Sequence, residues 1–185
     1  RRATENLVSL LGALMRLNLA SGSDYREGWT NLDITSWDGY PPPDVYWDAR
    51  CDRIPFDDSC VDEIYCGYTL LHIRPRYRPF FLNEVRRVLR PSGYVAFSEV
   101  DMNVVFRRFL EDPSDRSYSE LIWGEMGSIH GCKYEEFDTH YFGYCERTLI
   151  DEVIKAGFQQ PERIRVQSSD VWYELTIRCV KDGQA

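Results

Sequence analysis

The sequence predicts an α/β domain, and three observations carry that prediction. Short apolar runs of strand character alternate along the chain with stretches whose apolar residues recur at helical spacing. The 185 residues are the length of one domain, long enough to bury a sizeable core without disulfide or metal support. A composition of 43% hydrophobic, 14% aromatic and 28% charged residues is globular and excludes a largely disordered chain.

The elements follow in order. Met15 to Ala20 reads as a short buried strand, stopped by Ser21-Gly22-Ser23. Thr30 to Ile34 is a second strand, Asp44 to Trp47 a third after the rigid Pro41-Pro42-Pro43, and Val61 to Cys66 a fourth. Tyr77, Phe80, Phe81, Val85, Val88 and Leu89 recur at helical spacing, and Pro91-Ser92-Gly93 is expected to end that helix. Tyr94 to Ser98 is a fifth strand. Val104, Val105, Phe106, Phe109 and Leu110 suggest a helix cut by Pro113, and Tyr118, Leu121, Ile122 and Met126 another. Leu149, Ile150, Val153 and Ile154 mark one apolar helix face, with Gly157 where a left-handed cap is wanted. Ile164 and Val166 alternate as in a strand, and Val171 to Val180 is long enough for a last one.

The balance of 22 basic against 30 acidic residues, a net charge of −8, repels a phosphate backbone. Small molecules are therefore the expected partners, not nucleic acid. The six cysteines form no CxxC pair, and His72, His130 and His140 share no close spacing with them, so no metal site is expected. Reduced, mostly buried thiols suit a cytoplasmic protein. No apolar run approaches the ~20 residues of a membrane span. Arg1-Arg2 followed by Leu7 to Leu14 imitates a signal peptide, but Arg16 interrupts it.

Ligands of parallel α/β sheets sit where loops leave the carboxyl ends of the strands. Leu17-Asn18-Leu19-Ala20-Ser21-Gly22-Ser23 puts small residues at such a point, so backbone can approach a ligand closely. Eleven residues after Gly22 comes Asp33, placed to accept both hydroxyls of a ribose.

Three segments sharpen this: LNLASGSDYREGWTNLDI from Leu17, CDRIPFDDSCVDEIYCGYTLLHI from Cys51, and NEVRRVLRPSGYVAFSEVD from Asn83. In this order and spacing the chain resembles the class I S-adenosylmethionine-dependent methyltransferases, in their small-molecule, type 11-like branch. There the pattern reads LNLGSG-x-GWxNVD, then LPFxDxSxDEIYxxHVLEH, then RVLKPGG and a strand. The resemblance implies a Rossmann-like, mostly parallel seven-stranded sheet with the last strand antiparallel, in one domain over residues 1–185. It implies S-adenosylmethionine as cofactor, leaving as S-adenosylhomocysteine. Carried over by position, Ala20, Ser21 and Gly22 flank the methionine moiety, Asp33 holds the ribose and Ile34 packs on the adenine. Ala49 and Arg50 fall near the adenine edge, and Cys66 and Gly67 back the methionine moiety.

The chain departs from the pattern at several places. Ala20 and Asp24 stand where relatives have glycine, Asn18 where an acidic residue is common, and Leu71 where VLEH has its carboxylate. Arg50 falls where many relatives set an Asp against the adenine amine, and arginine only donates. The connection from Ser21 to Trp29 is too short for the usual crossover helix. Residues 1–14 either cover the face so exposed or are a dispensable extension.

Methyl transfer to oxygen benefits from a base near neutral pKa, which points to histidine. His72 matches the histidine of VLEH, and His140 lies in an irregular aromatic stretch. Glu99 and Asp101 end the fifth strand; Asp101 is the better placed to meet substrate, and either could simply cap a helix. Residues 101–144 read as a substrate lid, or as aromatics packed permanently over the sheet edge. The function expected is methyl transfer to a small polar metabolite, such as a hydroxyl of a sugar-like compound. The alternative is a non-catalytic binding or scaffolding module with a degenerate cofactor site.

Overall fold

The computed structural model describes residues 14–114, 126–127, 131–132, 139–164 and 174–182. Seven strands form one sheet: β1 (Arg16–Leu19), β2 (Thr30–Asp33), β3 (Val45–Tyr46), β4 (Val61–Gly67), β5 (Leu89–Val100), β8 (Phe158–Ile164) and β9 (Glu174–Lys181). Their spatial order is β3-β2-β1-β4-β5-β9-β8. The first five run parallel, while β9 is antiparallel to both its neighbours. The expected sheet and its antiparallel last strand are both present. Met126–Gly127 (β6) and Gly131–Cys132 (β7) pair separately as a small antiparallel ladder. The predicted helix from Tyr118, and residues 1–13, lie outside the described residues.

Helices α1 (Arg78–Val88), α2 (Met102–Glu111) and α3 (Glu146–Lys155) complete the frame. One face of the sheet is apolar. Leu17, Leu19, Leu32, Ile64, Cys66, Val95, Phe97 and Ile177 join Phe81, Leu82, Val85 and Val88 of α1 and Leu149 and Val153 of α3 in a single core. A fully buried side chain such as Phe81 contributes about 1.5–3 kcal/mol to such a core. Gly157 takes a φ of +87° just beyond α3, and Phe158, buried behind it, meets Phe97 with ring centroids 5.9 Å apart. That is the cap the sequence predicts.

The opposite face carries more polar residues, several of them buried. A register row runs across it through Asn31, Asn18, Tyr65, Ala96 and Arg178. Asn18 and Asn31 are buried and bonded to each other at 2.9 Å. The connection from Ala20 to Trp29 contains no helix, as its length predicts; it folds as turns over this face. Asn18 Nδ2 donates to the Asp24 carbonyl, the Arg26 amide donates to Asn31 Oδ1, and the Arg26 guanidinium lies 3.4 Å over the Tyr65 ring. Buried asparagines thus replace the contacts a helix would make.

Several expectations need correction. The strand read at Ile164 and Val166 lies earlier, at Phe158–Ile164, and Val166 is outside the described residues. The helix ends at Val88, ahead of Pro91-Ser92-Gly93, because Leu89 is already extended and pairs with Val61. The Pro91–Gly93 turn instead lies inside the long β5, with Ser92 at φ +65°. Tyr77 and Phe80, counted in that helical spacing, are 40% and 41% exposed, and Ile154 of the expected apolar face of α3 is 51% exposed.

Candidate functional site

β2, β1 and β4 are neighbours in the sheet, so the loops leaving their carboxyl ends converge. Ala20 has a φ of +51° and Gly22 one of +52°. The glycine of the resembling motif at position 20 is therefore replaced by an alanine forced into the left-handed region, at a cost of roughly 1–2 kcal/mol. The Ser21 amide donates to the Leu32 carbonyl, which fixes the loop against β2.

Asp33 ends β2 and is 5% exposed. Its Oδ2 accepts the Gly22 amide at 2.7 Å and its Oδ1 the Thr35 amide at 3.2 Å. Each oxygen keeps a lone pair, the valence needed to receive two vicinal hydroxyls. A Cβ built on Gly22 would meet nothing nearer than the Ala20 carbonyl at 4.0 Å, so the space over the loop is open. These residues fit a ribose-bearing ligand.

Ile34, half-buried, follows Asp33, and the Trp47 amide donates to the Asp33 carbonyl, bringing the end of β3 alongside. Ala49 packs against the core edge. Arg50 is folded back on Asp48: its Nε and Nη2 donate to the two carboxylate oxygens at 2.9 and 2.7 Å. That pair holds the Asp48 carboxyl below the usual carboxylate range, Arg50 being the main cause. Of the two aspartates that flank Arg50 in sequence, Asp48 and Asp52, Asp48 is the one that takes the guanidinium.

At the end of β4, the Cys66 side chain is fully buried on the core face, and burial pushes its thiol well up. Only its backbone can border a ligand. Gly67 has no room for a side chain, since a Cβ there would lie 2.8 Å from Tyr65 Cε1. Tyr68 follows with a φ of +49°, and its amide donates to the Ser98 carbonyl.

A short 3-10 turn, Leu70–His72, comes next. The Tyr141 amide donates to the Leu71 carbonyl, and this brings two distant candidates together. The His72 and His140 rings meet edge to face, with centroids 4.7 Å apart. Arg74 lies over Tyr141 and Arg78 over Phe142. Asp101 sits apart from this pair in role. It is buried, caps α2 by accepting the Asn103 amide, and its Oδ2 accepts from Arg163 Nη2 at 3.2 Å. Helix capping, the other role open to it, is what the structure gives it. His130 lies outside the described residues.

Residues 35–97 match a family model described as a methyltransferase domain. The solved structures add the full extent of the fold. A SAM-dependent methyltransferase from Archaeoglobus fulgidus superposes with a TM-score of 0.59 at 14% identity, covering 97% of this chain and 91% of the other. The chain has the fold of the class I methyltransferases. A second such neighbour is the 1,6-didemethyltoxoflavin-N1-methyltransferase of Burkholderia thailandensis, solved with 1,6-didemethyltoxoflavin and S-adenosylhomocysteine bound. It matches with a TM-score of 0.54 at 15% identity, over 98% of this chain and 77% of that one. In sequence, the methyltransferase-fold chain is 43% identical over 47 residues to a probable phthiotriol/phenolphthiotriol dimycocerosates methyltransferase 2 of Mycobacterium ulcerans (strain Agy99). The matched stretch is 25% of this chain and 17% of that relative's length. Among the described residues no helix is long and apolar enough to cross a membrane.

Proposed function

We propose that this chain transfers a methyl group from S-adenosylmethionine to a hydroxyl of a small polar metabolite of sugar-like chemistry. The observation that carries the proposal is Asp33: a buried carboxylate at the end of β2, pre-tied to the Gly22 amide, with one lone pair free on each oxygen. Bound there, S-adenosylmethionine would supply an electrophilic methyl on a sulfonium. Asp33 receives the ribose hydroxyls, and the backbone of Ala20, Ser21 and Gly22 lines the methionine moiety with Cys66 and Gly67 behind it. Ile34 packs on the adenine, whose edge Ala49 and Arg50 border. His140, whose ring meets that of His72 at 4.7 Å, takes the acceptor's proton in this reading, and Tyr141 and Phe142 help keep water away. Residues 101–144, of which 115–125, 128–130 and 133–138 lie outside the described residues, are read as the substrate lid of a one-domain protein. Support for this comes from the base of the segment, where the Met102 amide donates to the Tyr144 carbonyl at 2.9 Å, so that it leaves and returns at one point.

The second reading, a binding module with a degenerate cofactor site, is favoured by the Asp48–Arg50 pair, which ties up the carboxylate nearest the adenine edge. Calorimetric titration with S-adenosylmethionine and S-adenosylhomocysteine separates the two. Saturable binding of both is expected. No heat from either ligand, with the fold intact, selects the binding module.

A further inference from the structure

We propose that Glu99 is the positioning residue for His72: its buried carboxyl caps the Leu70–His72 turn and thereby sets where the His72 ring meets His140. Glu99 lies near the carboxyl end of β5 and is fully buried. Its Oε1 accepts the Leu70 amide at 2.8 Å. Leu70 is the first residue of the turn, whose N-cap Thr69 makes no side-chain cap of its own. A side chain from another strand therefore does the capping. From the far side, the Tyr141 amide donates to the Leu71 carbonyl. The turn is thus gripped between β5 and the segment that carries His140. Both grips act on Leu70 and Leu71, and His72 is the next residue along.

The surroundings make the carboxyl a neutral one. Oε2 has no hydrogen-bond partner among the described residues. Arg78 from α1, the cation acting on Glu99, spends its Nε on the Ile73 carbonyl and its Nη1 on Glu152 of α3. Glu152 itself, the Tyr144 hydroxyl bonded to it and the Cys66 thiol of β4 also face Glu99. Burial, the largest influence, raises its pKa to about 8. A protonated carboxyl still presents a carbonyl oxygen to Leu70, so capping needs no charge. The inference rests on the proposed function only in taking His72 as part of the site.

The test compares Glu99→Leu with Glu99→Gln, which keeps the carbonyl acceptor. Amide hydrogen exchange at Leu70, and the ring Cε1–H signals of His72 and His140 by NMR, need no cofactor. Glu99→Leu is expected to speed exchange at the Leu70 amide at least tenfold and to displace both histidine signals, while Glu99→Gln restores all three. Unmoved histidine signals in a folded Glu99→Leu protein would overturn the proposal, as would failure of Glu99→Gln to restore them. Should Glu99→Leu not fold, Glu99→Asp, one methylene short, must displace the His72 signal; an unshifted signal overturns the claim equally. Loss of S-adenosylhomocysteine binding in the native protein would sink the proposed function and leave these readouts standing.

Discussion

The Gly22 amide donates to Oδ2 of Asp33 at 2.7 Å, joining the loop after β1 to the end of β2 through a side chain rather than a strand ladder. One carboxylate at a strand end therefore shapes the loop that follows the neighbouring strand. Pre-organisation of this kind lowers the ordering cost of binding.

Asp33→Ala is expected to weaken S-adenosylhomocysteine binding by about 1.5–3 kcal/mol, the loss of hydrogen bonds to a charged group. In calorimetry that is a rise in Kd of roughly 10- to 150-fold. Unchanged affinity in a folded variant would remove Asp33 from the site.

Ala20→Gly should stabilise the protein. The left-handed backbone costs alanine roughly 1–2 kcal/mol, and the extra freedom of glycine in the unfolded chain returns about 0.5–1 of that. The net gain of up to about 1.5 kcal/mol corresponds to a rise in Tm of up to about 3–6 °C for a chain of this size. A lower Tm would mean that the alanine methyl makes contacts worth more than the strain.

Glu99 gives stability a pH dependence whose sign is fixed by its raised pKa, about 8 against 4.5. Between those values the folded state binds the proton that the unfolded state has released, so stability falls as pH rises from about 4.5 to about 8 and then levels off. Denaturant melts of the native protein and Glu99→Gln across pH 5 to 9 check this. The native protein should lose stability relative to the variant over that window, and parallel curves would show that Glu99 is ionised throughout.

Gly67→Ala should destabilise the fold by about 1–3 kcal/mol, the cost of overpacking. The new methyl would meet Tyr65 at 2.8 Å, and the Tyr65 ring cannot retreat freely beneath the Arg26 guanidinium at 3.4 Å. Pairing it with Tyr65→Phe, which removes the hydroxyl 3.0 Å from that methyl, should recover part of the loss in urea melts. No recovery would put the clash elsewhere.

Sequence by itself determined the first four strands and the three helices, because these are local matters. Leu17 and Leu19 alternate with Asn18, α1 and α3 carry apolar residues at helical spacing, and Gly157 stands where only a positive φ closes the helix. Asp33 was legible as a strand-end carboxylate, and the missing first crossover helix followed from counting residues. The glycine replaced by Ala20 was legible as a departure. Only the tertiary structure decided what those residues do together. Asn18 and Asn31 reveal their role once parallel pairing sets them side by side, and His72 finds His140 through the Tyr141 amide on the Leu71 carbonyl. Asp101 looked like a substrate-facing group until Arg163 and the Asn103 amide took its oxygens, and Glu99 looked like its lesser neighbour until burial placed it under the Leu70 amide. Periodicity encodes which face a residue takes, whereas the partner it meets there depends on chain brought in from far along the sequence. Contacts of that kind exist only after the sheet has closed over them.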